Sequence, residues 1–377
     1  MNVTARDRAV KTSAWVLYTL IVLEILFMVS PFAAYYYSIY ATPLNALQES
    51  QSTAWLTMYI LPHFTYSDSW LANGLILISW PLILIGIVLF VLGFCQIYWS
   101  KITDKGAVEV GLYRFIRHPQ YVALAIIGLG TSLYWSRFIV VIAFVTMLCI
   151  YYFLAQVEEN VCLARFGEPY RDYMDRTGMF LPRSLEARWR ASGVHLPNEK
   201  WMRRAVIAAL FAGVLALTTG AAHWLRSHVV DSLQIDVGKE RVTVFLAPVT
   251  PKTMATVSDL LNKNDLPGTV AYVAPASWQI PELGFTGTAG RYQREGKEEL
   301  LHPTTHGNPL VFDQDHLSVL LVETVFIVGE LKGIDRLTKA LNIQPIETAQ
   351  LDLVAGQIGE RRTAGEGDWA GIPVPTF

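Results

Sequence analysis

Two short polar clusters carry the groups in this chain that could do chemistry. The first, Gly111 to Tyr121, sets Tyr113, Arg114, Arg117, His118 and Tyr121 between two long apolar runs. The second follows the next apolar run, with the doublet Glu158-Glu159, then Arg165, Phe166-Gly167, Tyr170 and Tyr173, closing at Leu181-Pro182. A guanidinium or imidazole can grip a carboxylate through charge-assisted hydrogen bonds, and a carboxylate can hold an ammonium group. Tyrosine ring faces can lie against a cation. Together these groups suit a ligand with amino, carboxylate and cationic parts, and a reaction that depends on holding two partners in line. Cys95, Cys149 and Cys162 show no metal-ligand spacing, so neither a metal site nor a disulfide framework is expected.

The two clusters meet only if the apolar run between them folds back as a hairpin. Hydrophobic residues make up 52% of the 377 and charged residues 16%, which is a membrane composition. The pattern predicts about five transmembrane helices, near residues 14–39, 75–99, 121–135, 138–157 and 205–222. The first contains Glu24, an ionisable group that is costly at that depth. Pro81 and Gly86 would let the second bend, and Ser136-Arg137 alone joins the third to the fourth. Ala208, Ala212, Gly213 and Ala216 give the fifth a stripe suited to close helix packing. Residues 40–72 hold no Lys or Arg, whereas 100–119 and the Arg-rich 158–204 are basic, which places both clusters on the cytoplasmic side.

The Arg-His-Pro-x-Tyr segment Arg117 to Tyr121, with Glu158-Glu159 and the Phe-Gly-x-x-Tyr-x-x-Tyr run Phe166 to Tyr173, resembles the isoprenylcysteine carboxyl methyltransferase and phospholipid methyltransferase family of integral-membrane enzymes. The resemblance covers about residues 75–183. It implies methyl transfer from S-adenosylmethionine to a lipophilic acceptor such as an isoprenylcysteine carboxylate or a phospholipid amine. It also implies a cofactor site of Tyr113, His118, Pro119, Tyr121, Glu158, Glu159 and Tyr170, with Arg117 and Glu158 in catalytic roles. Ala123 stands where family patterns carry glycine. NADPH-dependent sterol-type membrane reductases share the Arg-His-Pro-x-Tyr segment and are the alternative. Val122-Ala-Leu124 and the Glu158-Glu159 doublet favour methyl transfer. A non-catalytic membrane anchor with a partner-binding C-terminal domain is the third reading.

Beyond residue 225 the composition becomes that of a soluble domain, with 12 Lys+Arg against 19 Asp+Glu over residues 231–377 and no nucleic-acid footprint. Arg241 to Ala247 alternates as a strand. Thr250-Pro251 opens a helix with Met254, Val257, Leu260 and Leu261 on one face and Ser258 on the polar side, and a strand at 269–274 follows. A weaker second strand-helix-strand order, at 325–328, 331–341 and 351–354, predicts a ferredoxin-like α+β domain built on a βαβ repeat. Residues 281–316 read as a long loop and 363–377 as poorly ordered. An odd number of spans puts this domain on the extracytoplasmic side, where its deletion should spare the cofactor site. Expected partners are membrane lipids, the lipophilic substrate and a protein bound by the C-terminal domain.

Overall fold

The computed structural model describes residues 26, 28–35, 47, 50, 52–62, 67–102, 108–191, 199–276, 290–294, 297–301, 313–325, 332–338 and 342–363. They belong to two compact units. One comprises Met1–Ser38, Leu82–Leu129 and Ala143–Ala212, and the other Ile39–Pro81, Gly130–Ile142 and Gly213–Phe377. Among the described residues, three helices are long and apolar enough to cross a membrane: α1 (Trp70–Ile102), α3 (Phe138–Phe166) and α6 (Lys200–Val230). At 1.5 Å per residue each exceeds the ~30 Å of a bilayer core. Exposed Leu77, Leu84, Ile85 and Val88 on α1, and Leu210, Val214 and Leu217 on α6, give these helices apolar outer surfaces.

Five spans are not confirmed among the described residues, and the third expected span is the shortest. Helix α2 (Pro119–Tyr134) has 16 residues, roughly 24 Å, which is short of a crossing. Of its side chains only Leu129 is exposed, so α2 is enclosed by protein. Of the first expected span, residues 26 and 28–35 are helical; Glu24 and the rest lie outside the described residues. Gly86 serves close approach: a Cβ there would sit 2.9 Å from the Ala123 carbonyl oxygen and 2.9 Å from the Ile127 nitrogen. The glycine that lets α1 and α2 meet is therefore on α1, opposite the fully buried Ala123. On α6, Ala208, Ala212, Gly213 and Ala216 are exposed, and no described residue lies within 4 Å of a Cβ built on Gly213.

In the second unit the short join before α3 is pinned by the 59–61 segment. Ile60 N donates to Ser136 O at 2.6 Å, and the Arg137 guanidinium lies 4.1 Å from the centroid of the Tyr59 ring. Six strands form one mixed sheet in the order β1-β2-β3-β6-β7-β8: β1 (Ile235–Val237), β2 (Val242–Phe245), β3 (Val270–Pro275), β6 (His316–Val325), β7 (Asn342–Asp352) and β8 (Gln357–Thr363). Between β2 and β3, helix α7 (Pro251–Lys263) makes a βαβ unit, capped as its sequence predicts by the Thr250 hydroxyl accepting from Thr253 N at 3.2 Å. Both strands are wholly buried, because each face of the sheet has its own cover. Phe245, Val273, Val319 and Leu321 pack with Val257, Leu260 and Leu261 of α7. The opposite face, with Val244, Tyr272, Leu320 and Val322, packs with Tyr59 and Leu61 of the 59–61 segment, with Ala72 and Ile76 near the start of α1, and with Val229 at the end of α6.

Two further expectations for this domain are corrected. A ferredoxin-like fold needs a strand between the two strands of each βαβ unit, but β2 and β3 pair directly, and β6 and β7, flanking the short α8 (Asp335–Thr338), pair antiparallel. The second strand-helix-strand pattern is thus an antiparallel pair, with residues 326–331 and 339–341 outside the described residues. The segment read as a long loop contains the hairpin of β4 (Gly290–Arg294) and β5 (Lys297–Leu301). Ser258 is buried, because it lies four residues from Met254 and three from Leu261 and so falls on the apolar stripe of α7.

Candidate functional site

The site is built in the first unit from the start of α2, the end of α3 and the segment that follows it. Gly111, at φ 63°, opens a 3-10 turn over Gly111–Arg114, and Gln96 of α1 accepts from Leu112 N at 3.1 Å. The chain turns at Phe115, whose amide donates to Leu112 O, and reaches Pro119, the first residue of α2. After α3, helix α4 (Glu168–Arg176) ends at Thr177, and the next residues lie alongside the motif: Arg117 N donates to Gly178 O at 2.9 Å and His118 N to Met179 O at 3.1 Å. The two clusters are therefore joined through their backbones as well as their side chains.

On α3, Tyr151, Ala155 and Glu159 recur every four residues, which puts them on one buried face, with Glu158 at its edge. Arg117 Nε donates to Glu159 Oε1 at 2.6 Å, and its Nη1 donates to the carbonyls of Thr177 at 2.6 Å and Met174 at 3.1 Å. The His118 ring lies between the doublet, Nδ1 3.4 Å from Glu158 Oε2 and Nε2 3.3 Å from Glu159 Oε1. Tyr121 donates its hydroxyl to Glu158 Oε1. The rings form a column: His118 stacks on Tyr121 at 5.5 Å, and Tyr121 on Tyr151 at 4.6 Å.

Burial alone would lower the His118 pKa, but the hydrogen bonds and charges of Glu158 and Glu159 outweigh it, and the net shift is upward. With His118 protonated, two cations face two carboxylates. A pKa raised on folding gives stability that is full below the ordinary value of 6.5 and fades as pH climbs through the raised folded-state value. The melting temperature should therefore fall across that interval, and His118→Gln should flatten the fall. An unchanged pH profile in the variant would show that another group governs it.

The structure brings together five of the residues singled out in the sequence: Arg117, His118, Tyr121, Glu158 and Glu159. Their roles divide by exposure. The side chains of Arg117 and Glu159 are 5% and 9% exposed and neutralise each other, whereas that of Glu158 is 42% exposed. Pro119 is buried at the start of α2. Tyr113 points elsewhere, its hydroxyl 3.5 Å from Gly93 O on α1, while its carbonyl accepts from Tyr173 at 2.7 Å. Tyr170 is buried beside Tyr173, and burial raises the pKa of both. Sequence reasoning missed Tyr151, seven residues before Glu158 on the same face of α3. It also missed Phe180, 5.8 Å from the His118 ring, and Thr177-Gly178.

This geometry can be set beside known proteins. Residues 69–169 match the phospholipid methyltransferase family model. The matched segment spans about a quarter of the chain and includes Arg117, His118, Pro119, Tyr121 and both glutamates, but ends before Tyr170. No curated protein and no solved structure gives a significant match. The match, with three helices apolar enough to span a membrane among the described residues, supports membrane methyl transfer as the general class of activity. The donor set also fits a sulfonium cofactor. A half-exposed carboxylate, Glu158, is available to an ammonium group, and among the described residues the buried Gln120 Nε2, on a side chain that lies beside Gly93 of α1, has no hydrogen-bond partner.

Proposed function

We propose that this protein transfers a methyl group from S-adenosylmethionine to a lipophilic acceptor reached from the membrane, a phospholipid amine or an isoprenylcysteine carboxylate. The observation that carries the reading is the locked cluster of Arg117, His118, Glu158 and Glu159 inside the matched segment. When bound, the cofactor supplies an electrophilic methyl group. Glu158, the one exposed carboxylate of the cluster, would hold its ammonium group. Arg117 and Glu159 fix the geometry from below. His118, already shared by two carboxylates, keeps Glu158 pointed at the ligand and holds its own proton through the reaction. The largely enclosed α2 keeps water from the reacting groups.

Titration calorimetry on the detergent-solubilised protein tests this reading. Wild type should bind S-adenosylmethionine or its demethylated product, and Glu158→Gln should lose about ten- to a hundredfold in affinity, the value of one charge-assisted bond. Cys149→Ser should be silent. Binding of NADPH without S-adenosylmethionine would replace this reading with the reductase. Mass-shifted lipid or peptide products from deuterated-methyl cofactor would identify the acceptor.

The charge asymmetry supports a cytoplasmic site with the sheet domain on the extracytoplasmic side, α6 being the crossing between the Arg-rich 158–204 segment and β1. Edge strand β8 is largely exposed and would serve a protein partner. Ala255 is exposed on α7, so Ala255→Cys in a background lacking the native cysteines should react with a membrane-impermeant thiol reagent in intact cells. Labelling only after permeabilisation would refute this sidedness.

A further inference from the structure

Glu186 lies on α5 (Arg183–Ala191), beyond the segment matched by the family model. One of its oxygens, Oε1, accepts from three successive backbone amides, Met179 N at 2.6 Å, Phe180 N at 3.2 Å and Leu181 N at 3.5 Å. Successive amides converging on one point make an anion-binding concavity, and here the chain's own carboxylate fills it. The carbonyls of the same segment face the other way: Gly178 O and Met179 O accept from the amides of Arg117 and His118, and Thr177 O accepts from the Arg117 guanidinium. Phe180 contributes the ring against His118. The turn has no slack, since a Cβ on Gly178 would fall 1.7 Å from Leu181 O and 3.0 Å from the Glu186 carboxyl carbon.

We propose that Glu186 is a positioning residue for the site: by clamping the amides of residues 179–181 it holds the backbone on which Arg117 and His118 are hung. The ring of His118 can stand between two carboxylates only while its own amide is fixed to Met179 O. Loss of the clamp frees residues 178–181 and lets His118 drift from Glu158 and Glu159. Glu158 and Glu159 of α3 raise the titration of His118 against its burial, and the other titratable or charged groups around them are Arg117, Tyr121 of α2 and the buried Tyr170 of α4. Glu186 is not among them, so an effect of Glu186 on His118 must pass through the backbone.

Two readouts on the full-length protein test the clamp: the titration of His118 by histidine-labelled NMR, and hydrogen exchange at the amides of Arg117 and His118. In Glu186→Ala, His118 should titrate closer to the ordinary value of 6.5 than in wild type, and the two amides should exchange about ten- to a hundredfold faster, the loss of a charge-assisted acceptor. Glu186→Gln keeps the volume and a neutral acceptor, so it should fall between the two; it also carries the comparison if the alanine variant does not fold. Wild-type titration and exchange in a folded variant, even one of lower melting temperature, would overturn the proposal and leave Glu186 a helix-end stabiliser. Neither readout involves the cofactor, so failure of S-adenosylmethionine binding in wild type would refute the proposed activity without touching this inference.

Discussion

Replacing Glu159 with alanine should destabilise the protein by about 3–5 kcal/mol, the usual result of stranding one member of a buried ion pair. Arg117 would keep the carbonyls of Met174 and Thr177, but its charge, 5% exposed, would have no counter-ion at Nε. His118 would lose one of its two carboxylates as well. Glu158→Ala should behave differently, because its side chain is 42% exposed and water can replace much of what is lost; a cost of about 1 kcal/mol or less is expected. The double replacement Arg117→Met with Glu159→Leu should recover part of the lost stability, since removing both charges also removes their desolvation cost. Chemical denaturation in detergent checks all three. Equal costs for Glu158→Ala and Glu159→Ala would contradict the division into a buried brace and an open ligand-facing carboxylate.

The site was legible to the extent that its chemistry is local in sequence. Arg117, His118 and Tyr121 lie within one turn, and the doublet Glu158-Glu159 closes an apolar run whose length brings it back alongside them. The doublet alone did not tell its two members apart. That depends on which carboxylate meets the buried Arg117 guanidinium, and so on neighbours the sequence does not name. Gly178 and Glu186 were invisible for a related reason: their partners are backbone atoms, which every residue possesses. In the sheet domain the capped helix α7 was readable because Thr250-Pro251 and the Val257, Leu260, Leu261 stripe are local signals. The pairing of β6 with β7 was not, since strand order is a long-range property, and an apparent strand-helix-strand repeat fits an antiparallel pair as well as a parallel one. For α2, an apolar run bounded by polar residues reads alike whether lipid or protein surrounds it.

Removing the chain beyond Leu233 should leave a protein that aggregates in detergent. From the sequence the C-terminal domain looked separable, yet one face of its sheet covers Tyr59, Leu61, Ala72, Ile76 and Val229, all at most 5% exposed. Burial of a large apolar side chain is worth about 1.5–3 kcal/mol, so four such side chains and one alanine represent roughly 6–12 kcal/mol as an upper bound. That is comparable with the whole stability of an ordinary domain. Exposing these residues together would create a contiguous apolar patch, the surface that drives association. Detergent covers the spans, but Tyr59 and Leu61 come from a segment that is not part of a membrane helix, and they would need a new partner. A point substitution separates loss of packing from loss of the domain: Leu320→Ala, at the centre of that face and fully buried, should cost about 2–5 kcal/mol and leave the chain monodisperse. Size-exclusion chromatography and thermal denaturation of the two variants give the comparison. A truncated chain that runs as a single species with wild-type melting behaviour would show that the helix ends are stable without the sheet.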